Sequence, residues 1–341
     1  MAGGKSHLEP LVVGPQPMRL AINLVTRGRP YLLARTIEHT VANIAEPSTC
    51  FMISVDDDDG PTIDVLKSRF AAITDVFDGA NVRGHIQVSI RPREDSLGEK
   101  YNRITTGWDR READVYCNLS DHGFFATPGF DRKILDTAAL FPDGIGIVVN
   151  HLCNASFSNE YAVTKKLVDK LGFYAPPLFP YWFWDHWLDD IGKMIGRTIL
   201  AEVKVDYHPS GKPMTQGIRE PAWWGTFFDA AYMARRKVAH AIVDGEDFQE
   251  PAWRKAATKA NAPLIEYRSK WINDHLRQNN RELIMRSNAG APDERYLRLK
   301  EKALRLLPGY LELLPKDEAK AYAAALLPAS NVVNLPKAYV R

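Results

Sequence analysis

The stretch "ADVYCNLSDHGFF" (residues 113–125) alternates apolar and polar side chains and then ends abruptly in Ser120-Asp121-His122-Gly123. Alternation of this kind predicts a short buried strand, and the glycine marks the point where the strand stops. A carboxylate beside an imidazole at that point is either a solvated turn or a ligand set at the place where a central strand leaves its sheet. The elements on either side indicate which reading applies.

The first 125 residues alternate between predicted strands and predicted helices. Strands are predicted at 18–30, 50–55 and 85–90, and helices at 31–44, 62–73 and 98–111. With the stretch above as a fourth strand, this order predicts an α/β fold in which helices flank a mainly parallel sheet.

After Gly129 the alternation becomes less regular. We predict a helix from Phe130, a strand at 144–150, a helix at 161–172, a helix from about Asp185 within an aromatic-rich segment, and a strand at 199–209. From about residue 226 onwards, long charged helical patterns dominate. The chain therefore divides into an irregular lead-in (1–17), an α/β domain (18–225) and a mainly helical C-terminal region (226–341).

Composition excludes several classes of protein. The chain has 341 residues, of which 45% are hydrophobic and 25% are charged, which is typical of a globular protein with a substantial core. Its three cysteines (Cys50, Cys117 and Cys153) form no CxxC pair, so neither a disulfide framework nor a zinc ribbon is indicated. Because there is no apolar run of about 18 residues and no signal peptide, we expect a cytoplasmic protein without a transmembrane segment.

Three polar clusters follow predicted strands. They are Thr26-Arg27-Gly28-Arg29, the aspartate run 56–59, and Ser120-Asp121-His122. Each cluster alone is typical of an ordinary turn. In open parallel sheets, however, ligands bind beyond the carboxyl ends of the strands. The occurrence of polar clusters at successive strand ends therefore favours a binding site there.

The order of these elements resembles the GT-A fold of nucleotide-sugar glycosyltransferases, a Rossmann-like fold, and in particular the family-2-like group. The segments that carry the resemblance are LVTRGRP, ISVDDDDG, GEKYNRI, NLSDHGFFATPGFD, WDHWLDDIG and VDYHPSGK, within roughly residues 18–215. The resemblance implies transfer of a sugar from a UDP- or GDP-sugar to a glycan or other hydroxyl acceptor, with inversion by direct displacement. It does not extend to the last 110 or so residues.

The resemblance also implies donor contacts at the strand ends. Asp56 and Asp57 would hydrogen-bond the base and the ribose. Arg27, Arg29 and Lys100 would contact the diphosphate, because guanidinium forks suit phosphate oxygens. The further donor-binding residues that we predict are Thr26, Asn102, Ser120 and Asp121. The competing interpretation of each charged residue is an ordinary solvated side chain.

By the same resemblance, Asp121, His122 and His208 would hold a divalent metal ion. The family's Asp-x-Asp motif has carboxylates two residues apart, whereas this chain has serine and histidine at positions 120 and 122. Because Mn²⁺ accepts imidazole as well as carboxylate, the set is more typical of Mn²⁺ than of Mg²⁺. The alternatives are an enzyme that needs no metal and a site that binds nucleotide without turnover.

The acidic residue at the start of a later helix, Asp185, matches the position of the family's general base. A carboxylate is a usual base for a hydroxyl nucleophile. Asp189 shares a helix face with Asp185, and Asp190 follows it, so both are further candidates. The structural alternative for Asp185 is a helix N-cap. The neighbouring aromatic side chains form either a sugar-stacking wall or a packed core: Tyr181, Trp182, Trp184 and Trp187.

The segment from residue 230 onwards is net basic, whereas the preceding part of the chain is net acidic. A basic helical face could hold an anionic acceptor such as nucleic acid. We favour a helical appendage that covers the catalytic domain or forms a homodimer contact, because apolar and acidic residues are interleaved with the basic ones. Two other functions compete with sugar transfer, namely nucleotidyl transfer and binding of a nucleotide or sugar without catalysis.

Overall fold

The computed structural model describes residues 18–70, 86–107, 112–151, 160–209, 219–243, 248–249, 285 and 288–327. The predicted lead-in lies outside these residues, and so does Cys153. Within them, no helix is both long enough and apolar enough to cross a membrane.

A seven-stranded sheet forms the centre of the fold. Its strands are β1 (Leu20–Val25), β2 (Cys50–Asp56), β3 (Ile86–Arg91), β4 (Val115–Leu119), β6 (Ile147–His151), β7 (Glu160–Thr164) and β8 (Thr198–Leu200). Their order is β3-β2-β1-β4-β7-β6-β8. The first four are mutually parallel, β7 is antiparallel to both of its neighbours, and β8 is parallel to β6. The predicted α/β class with a mainly parallel sheet is confirmed.

Ten helices and a small second sheet complete the described fold. The helices are α1 (Pro30–Val41), α2 (Gly60–Arg69), α3 (Leu97–Thr105), α4 (Phe130–Ala138), α5 (Lys165–Leu171), α6 (Trp184–Met194), α7 (Pro221–Ala230), α8 (Tyr232–Ile242), α9 (Glu294–Leu311) and α10 (Lys316–Leu326). The small sheet pairs β5 (Gly123–Phe125) with β9 (Val205–Tyr207) in antiparallel fashion.

The two faces of the central sheet bury separate hydrophobic clusters, because successive strand residues point to opposite sides. On one face, Ile22 and Phe51 pack with apolar residues of α1, α2 and α4. On the other face, Ala21 and Met52 pack with α3, α5 and α6 and with the C-terminal helices α7 to α10. Helix α7 crosses the boundary that we predicted at residue 225, and it contacts both α9 and α10.

Two predicted elements were wrong. The start of the predicted helix 161–172 is strand β7, which lies between β4 and β6 in the sheet, and the helix begins only at Lys165. Ala162 and Val163 are fully buried there, and a short apolar run does not distinguish a buried strand from a helix. The predicted strand 199–209 is two strands in two sheets, β8 and β9. Glu202, in the segment between them, has left-handed backbone geometry (φ 51°), which interrupts an extended strand.

A buried ion pair fixes α6 against α8. The Arg235 guanidinium is fully buried, and its Nε donates to Asp190 Oδ2 at 2.9 Å. The guanidinium also lies 3.7 Å from the ring centroid of Phe228 on α7 and donates to the carbonyl oxygen of that residue. One side chain thereby joins three helices of the cluster beneath the sheet.

We expect Arg235→Ala to lower the free energy of unfolding by about 3–5 kcal/mol, because it leaves the carboxylate of Asp190 buried without its counter-charge. Lys237→Ala, on the exposed side of the same helix, is the matched control and should change it by no more than about 0.5 kcal/mol. Urea denaturation followed by circular dichroism measures both values. A loss below about 1 kcal/mol for Arg235→Ala would show that the pair does not hold the helices together.

Candidate functional site

A cavity of about 220 Å³ opens at the carboxyl ends of β1 and β4. Five segments line it: the end of β1 with its following turn, the loop before α3 with the first turns of that helix, the end of β4, the pair Pro180-Tyr181, and the N-terminal part of α9. The first three are strand ends or segments that follow strand ends. The cavity thus lies beside strand ends, where the sequence analysis predicted the site.

The carboxylate of Asp56 organises the cations of this cavity. Asp56 is fully buried at the end of β2 and accepts a hydrogen bond from Arg27 Nη1 at 2.8 Å. It also contacts the Lys100 ammonium, and Arg93 Nε lies 3.8 Å from its Oδ2. Arg27, Arg93 and Lys100 line the cavity, whereas Asp56 does not. Asp56 thus contacts three cations of the cavity wall without lining the cavity itself.

The aspartates that follow β2 have different positions. Asp58 receives two hydrogen bonds from Arg27, at 2.5 and 2.9 Å, and this guanidinium lowers the pKa of Asp58. Asp59 accepts from the backbone N–H of Gly28 at 2.7 Å, at a turn where φ is +66° and glycine is favoured. Asp57 is exposed and does not line the cavity. Asp58 and Asp59 therefore connect the turn after β2 to the turn after β1 by hydrogen bonds.

Asp121 links the end of β4 to the turn after β1 by hydrogen bonds. Its Oδ2 accepts from Thr26 Oγ1 at 3.1 Å, and its Oδ1 accepts from Arg29 Nη1 at 3.0 Å. The backbone carbonyl of Asp121 accepts from Thr36 of α1 at 3.2 Å. His122 Nδ1 lies 3.4 Å from Oδ1. Thr26, Arg29 and Asp121 all line the cavity, as does Ser120. The structure thus brings these predicted donor-binding residues together.

The predicted metal ligand His208 lies among aromatic rings. Its buried ring stacks on that of Phe124, with 4.7 Å between centroids, and its centroid lies 4.9 Å from that of the His39 ring. Burial lowers the pKa of His208. Its backbone N–H donates to the His122 carbonyl at 2.7 Å, so the two residues are neighbours beside the small sheet. In the described part of the chain, no group of three His, Cys, Asp or Glu side chains is arranged to hold a metal ion. The metal-binding role of Asp121, His122 and His208 therefore stays a prediction.

Asn102 does not line the cavity but fixes the segment 174–175, which precedes the lining pair Pro180-Tyr181, to α3. Its side-chain amide donates to the carbonyl of Ala175 at 2.7 Å and accepts from the backbone N–H groups of Tyr174 and Ala175 at 2.8 and 3.0 Å. On the preceding turn of α3, a Cβ at Gly98 would lie 2.5 Å from the carbonyl oxygen of Pro176. The absence of a side chain at Gly98 therefore lets this segment approach, and Asn102 fixes it to α3.

The three predicted base candidates have different surroundings on α6. Asp189 pairs with Lys193 at 2.6 Å, and Asp190 pairs with Arg235. None of the three candidates lines the cavity. Asp185 accepts from the backbone N–H of His186 at 2.8 Å, and its charge contributes to raising the pKa of Tyr181, after burial and Asp121. The N-cap of α6 is Phe183, so Asp185 lies in the first turn and is not the cap.

The aromatic residues divide between the cavity and the core. Tyr181 lines the cavity. Trp184 and Trp187 are buried members of the hydrophobic cluster, and Trp182 packs against it. Of the predicted stacking wall, the structure thus places Tyr181 at the cavity and the three tryptophans in the packing beneath it.

Three residues near the cavity were missed by the sequence analysis. Arg93 and Arg295 line it from the loop after β3 and from α9. Glu160, at the start of β7, is 1% exposed and accepts a hydrogen bond from the Tyr207 hydroxyl at 2.6 Å. Burial raises the pKa of Glu160 to about 7, against the lowering effect of Tyr207 and His122. Arg93 could have been predicted from the sequence, because it is a cation that follows a strand. Glu160 was missed because the strand that it begins was predicted as the start of a helix.

No protein-family model matches the chain, and no curated protein matches it by sequence. Among solved structures, it is similar to the mannosyltransferase PcManGT from Pyrobaculum calidifontis with GDP-Man and Mn²⁺, at 14% identity and a TM-score of 0.44, over 94% of this chain and 89% of that one. It is also similar to S. aureus TarS with UDP-GlcNAc, at 12% identity and a TM-score of 0.47, over 95% and 91% of the two chains.

A third similar structure is glucosyl-3-phosphoglycerate synthase from Mycobacterium tuberculosis with Mn²⁺, UDP-Glc and phosphoglyceric acid. Here the identity is 12% and the TM-score 0.40, over 67% of this chain and 81% of that one. All three structures hold a nucleotide sugar. With TM-scores below 0.5, these likenesses assign no activity to this chain.

The raised pKa of Glu160 predicts a specific dependence of stability on pH. Because its pKa is higher in the folded state (about 7) than the ordinary 4.5, its contribution to stability is complete below pH 4.5 and is lost as the pH rises through 7. Glu160→Gln, which stays neutral, should therefore gain stability relative to the wild type by about 3 kcal/mol between pH 4.5 and 8. Urea denaturation at several pH values measures this difference.

Tyr207→Phe is the matched variant for this prediction. It removes the hydrogen bond that lowers the pKa of Glu160, so the pH at which stability is lost should move upward. A difference between Glu160→Gln and wild type that stays constant with pH would show that Glu160 does not titrate in this window.

Proposed function

We propose that this protein transfers a sugar from a nucleotide-sugar donor to a hydroxyl acceptor. The observation that carries the proposal is the cavity at the carboxyl ends of the parallel strands, whose wall holds five cationic side chains: Arg27, Arg29, Arg93, Lys100 and Arg295. A nucleoside diphosphate leaving group gains negative charge as the bond to the sugar breaks, and cations fixed in advance around it stabilise that charge.

The fixed positions of these cations support the proposal. Lys100 and Arg27 are held by Asp56, Arg27 also by Asp58, and Arg29 by Asp121. Because carboxylates fix these cations in place, little reorganisation is required when the diphosphate arrives. Burial lowers the pKa of Lys100, and a neighbouring phosphate would favour its charged form.

The sugar transfer also needs a base that takes the proton of the acceptor hydroxyl. We assign this role to Asp185, because it lies in the first turn of α6, four residues after the cavity residue Tyr181, and its charge acts on that residue. Asp189 and Asp190 are engaged in ion pairs with Lys193 and Arg235, so we do not assign the role to them. The acceptor hydroxyl would then lie between Tyr181 and the sugar of the donor.

No step of this mechanism passes through a metal ion. Mn²⁺ is present in two of the similar structures, and Mn²⁺ or Mg²⁺ was expected from the sequence. In the described part of the chain, no group of three His, Cys, Asp or Glu side chains is arranged to hold such an ion. The steps proposed here are therefore those of this chain's own side chains.

A panel of nucleotide sugars tests the proposed reaction. After incubation with the full chain, mass spectrometry should show slow release of the sugar from one donor, with water as the acceptor. Release of pyrophosphate from a nucleoside triphosphate would contradict the proposal and indicate nucleotidyl transfer. Binding of a nucleotide with no turnover of any donor would also contradict it and indicate a binding module.

We expect Asp185→Asn to slow sugar release by a factor on the order of 10²–10⁴, the usual contribution of a general base. Because the substitution preserves the shape of the side chain, the melting temperature and the affinity for the nucleoside diphosphate should remain close to those of the wild type. Steady-state kinetics and calorimetry measure the two effects. The comparison variant is Asp189→Asn, one turn further along α6, for which we expect a much smaller loss. A larger loss for that variant than for Asp185→Asn would assign the role of base to Asp189 instead.

A further inference from the structure

The C-terminal helix α9 forms one wall of the cavity. Arg295, Tyr296 and Leu299, all in its first two turns, line the space together with the residues at the strand ends. Asp293 caps this helix by accepting from the backbone N–H of Tyr296 at 2.8 Å. These residues lie more than 70 positions beyond the last segment that resembles a glycosyltransferase.

Ion pairs hold α9 against the cavity from two sides. On the α3 side, Arg298 donates to Asp95 from Nε at 3.0 Å and from Nη2 at 2.5 Å, and Lys302 Nζ lies 3.2 Å from a carboxylate oxygen of Glu99. On the α7 side, Lys300 Nζ lies 2.7 Å from Glu220, which also accepts from the hydroxyl of Tyr296 at 2.6 Å. These basic residues of α9 thus position the helix.

Arg93 and Arg295 face this space as two like charges. Arg93 lies 3.8 Å from Asp56, which is already engaged by Arg27 and Lys100. Arg295 pairs with Asp293 at 2.9 Å. The pKa of Arg93 is lowered, first by burial and then by repulsion from Arg295 and from Arg27. An anionic group bound beside both guanidiniums would relieve this repulsion.

We propose that Arg295, supplied by the C-terminal helix, binds the diphosphate of the donor together with Arg93. This inference rests on the proposed function and assigns part of its donor site to the C-terminal region. The diphosphate is the fitting anion because Arg93 belongs to the same cation group around Asp56 that lines the remainder of the cavity. A phosphate-bearing acceptor is the other source of such an anion, and the experiment separates the two.

Isothermal titration calorimetry on the full chain tests this assignment. UDP, GDP, CDP and TDP are titrated into the wild type, and the nucleotide that binds most tightly is used for the variants. Arg295→Gln and Arg93→Gln should each weaken its binding by about 10- to 100-fold, as expected for loss of a charge-assisted hydrogen bond. Binding of the corresponding nucleoside, which has no phosphate, should change little.

Arg305→Gln is the matched control, because Arg305 lies on the same helix, is exposed, and pairs with Glu301 away from the cavity. It should bind the nucleotide as the wild type does. The double variant Arg93→Gln/Arg295→Gln should lose less affinity than the product of the two single losses, because both side chains hold the same anion. Arg295→Lys, which keeps the charge without the guanidinium fork, should bind with intermediate affinity and serves as the second variant if Arg295→Gln does not fold.

The outcomes distinguish this inference from the proposed function. If the wild type binds none of the four nucleotides, the proposed function itself is contradicted. If the wild type binds one of them and both Arg295 variants bind it equally well, the inference alone fails, and an acceptor anion becomes the explanation for Arg295. Equal weakening for nucleotide and nucleoside would also overturn it, because the contact would then be with the base or ribose.

Discussion

The cavity of this protein depends on the buried carboxylate of Asp56. An ionised carboxylate without solvent exposure is stable in a folded protein only when cations and hydrogen bonds compensate it. Asp56 obtains its compensation from Arg27 after β1, from Lys100 on α3 and from Arg93 after β3. Three segments that are distant in sequence therefore converge on one point, and their cationic ends form the wall of the cavity.

The rest of the site extends from this arrangement. Asp121 joins β4 to the turn after β1 through Thr26 and Arg29, so the two central strands end in one hydrogen-bonded unit. On the opposite side, Asn102 fixes the segment at 174–175 to α3, the helix that also carries Lys100. Helix α9 forms a further wall of the cavity and is attached to the same loop and helix by ion pairs. The described part of the C-terminal region thus contributes to the site.

Much of this architecture could be predicted from the sequence. The alternation of strand and helix patterns is visible locally, and it implies a mainly parallel sheet. Once the strands were placed, the carboxyl ends had to meet, and with them Thr26, Arg29 and Asp121. The sequence did not show which distant side chains contact one another. Whether Asp56 faces a ligand or a lysine, and whether the His208 ring faces Asp121 or Phe124, depends on packing between distant segments. Arg295 was undetectable for the same reason, since nothing local connects α9 to the strand ends.

The most direct test of this account is a crystal structure of the protein with the nucleoside diphosphate that it binds most tightly. We predict that the phosphate oxygens lie within hydrogen-bonding distance of Lys100, Arg93 and Arg295, while Asp56 stays behind these side chains and contacts no part of the ligand. A nucleotide bound elsewhere on the chain, or one whose base or ribose is bonded directly to Asp56, would contradict the account.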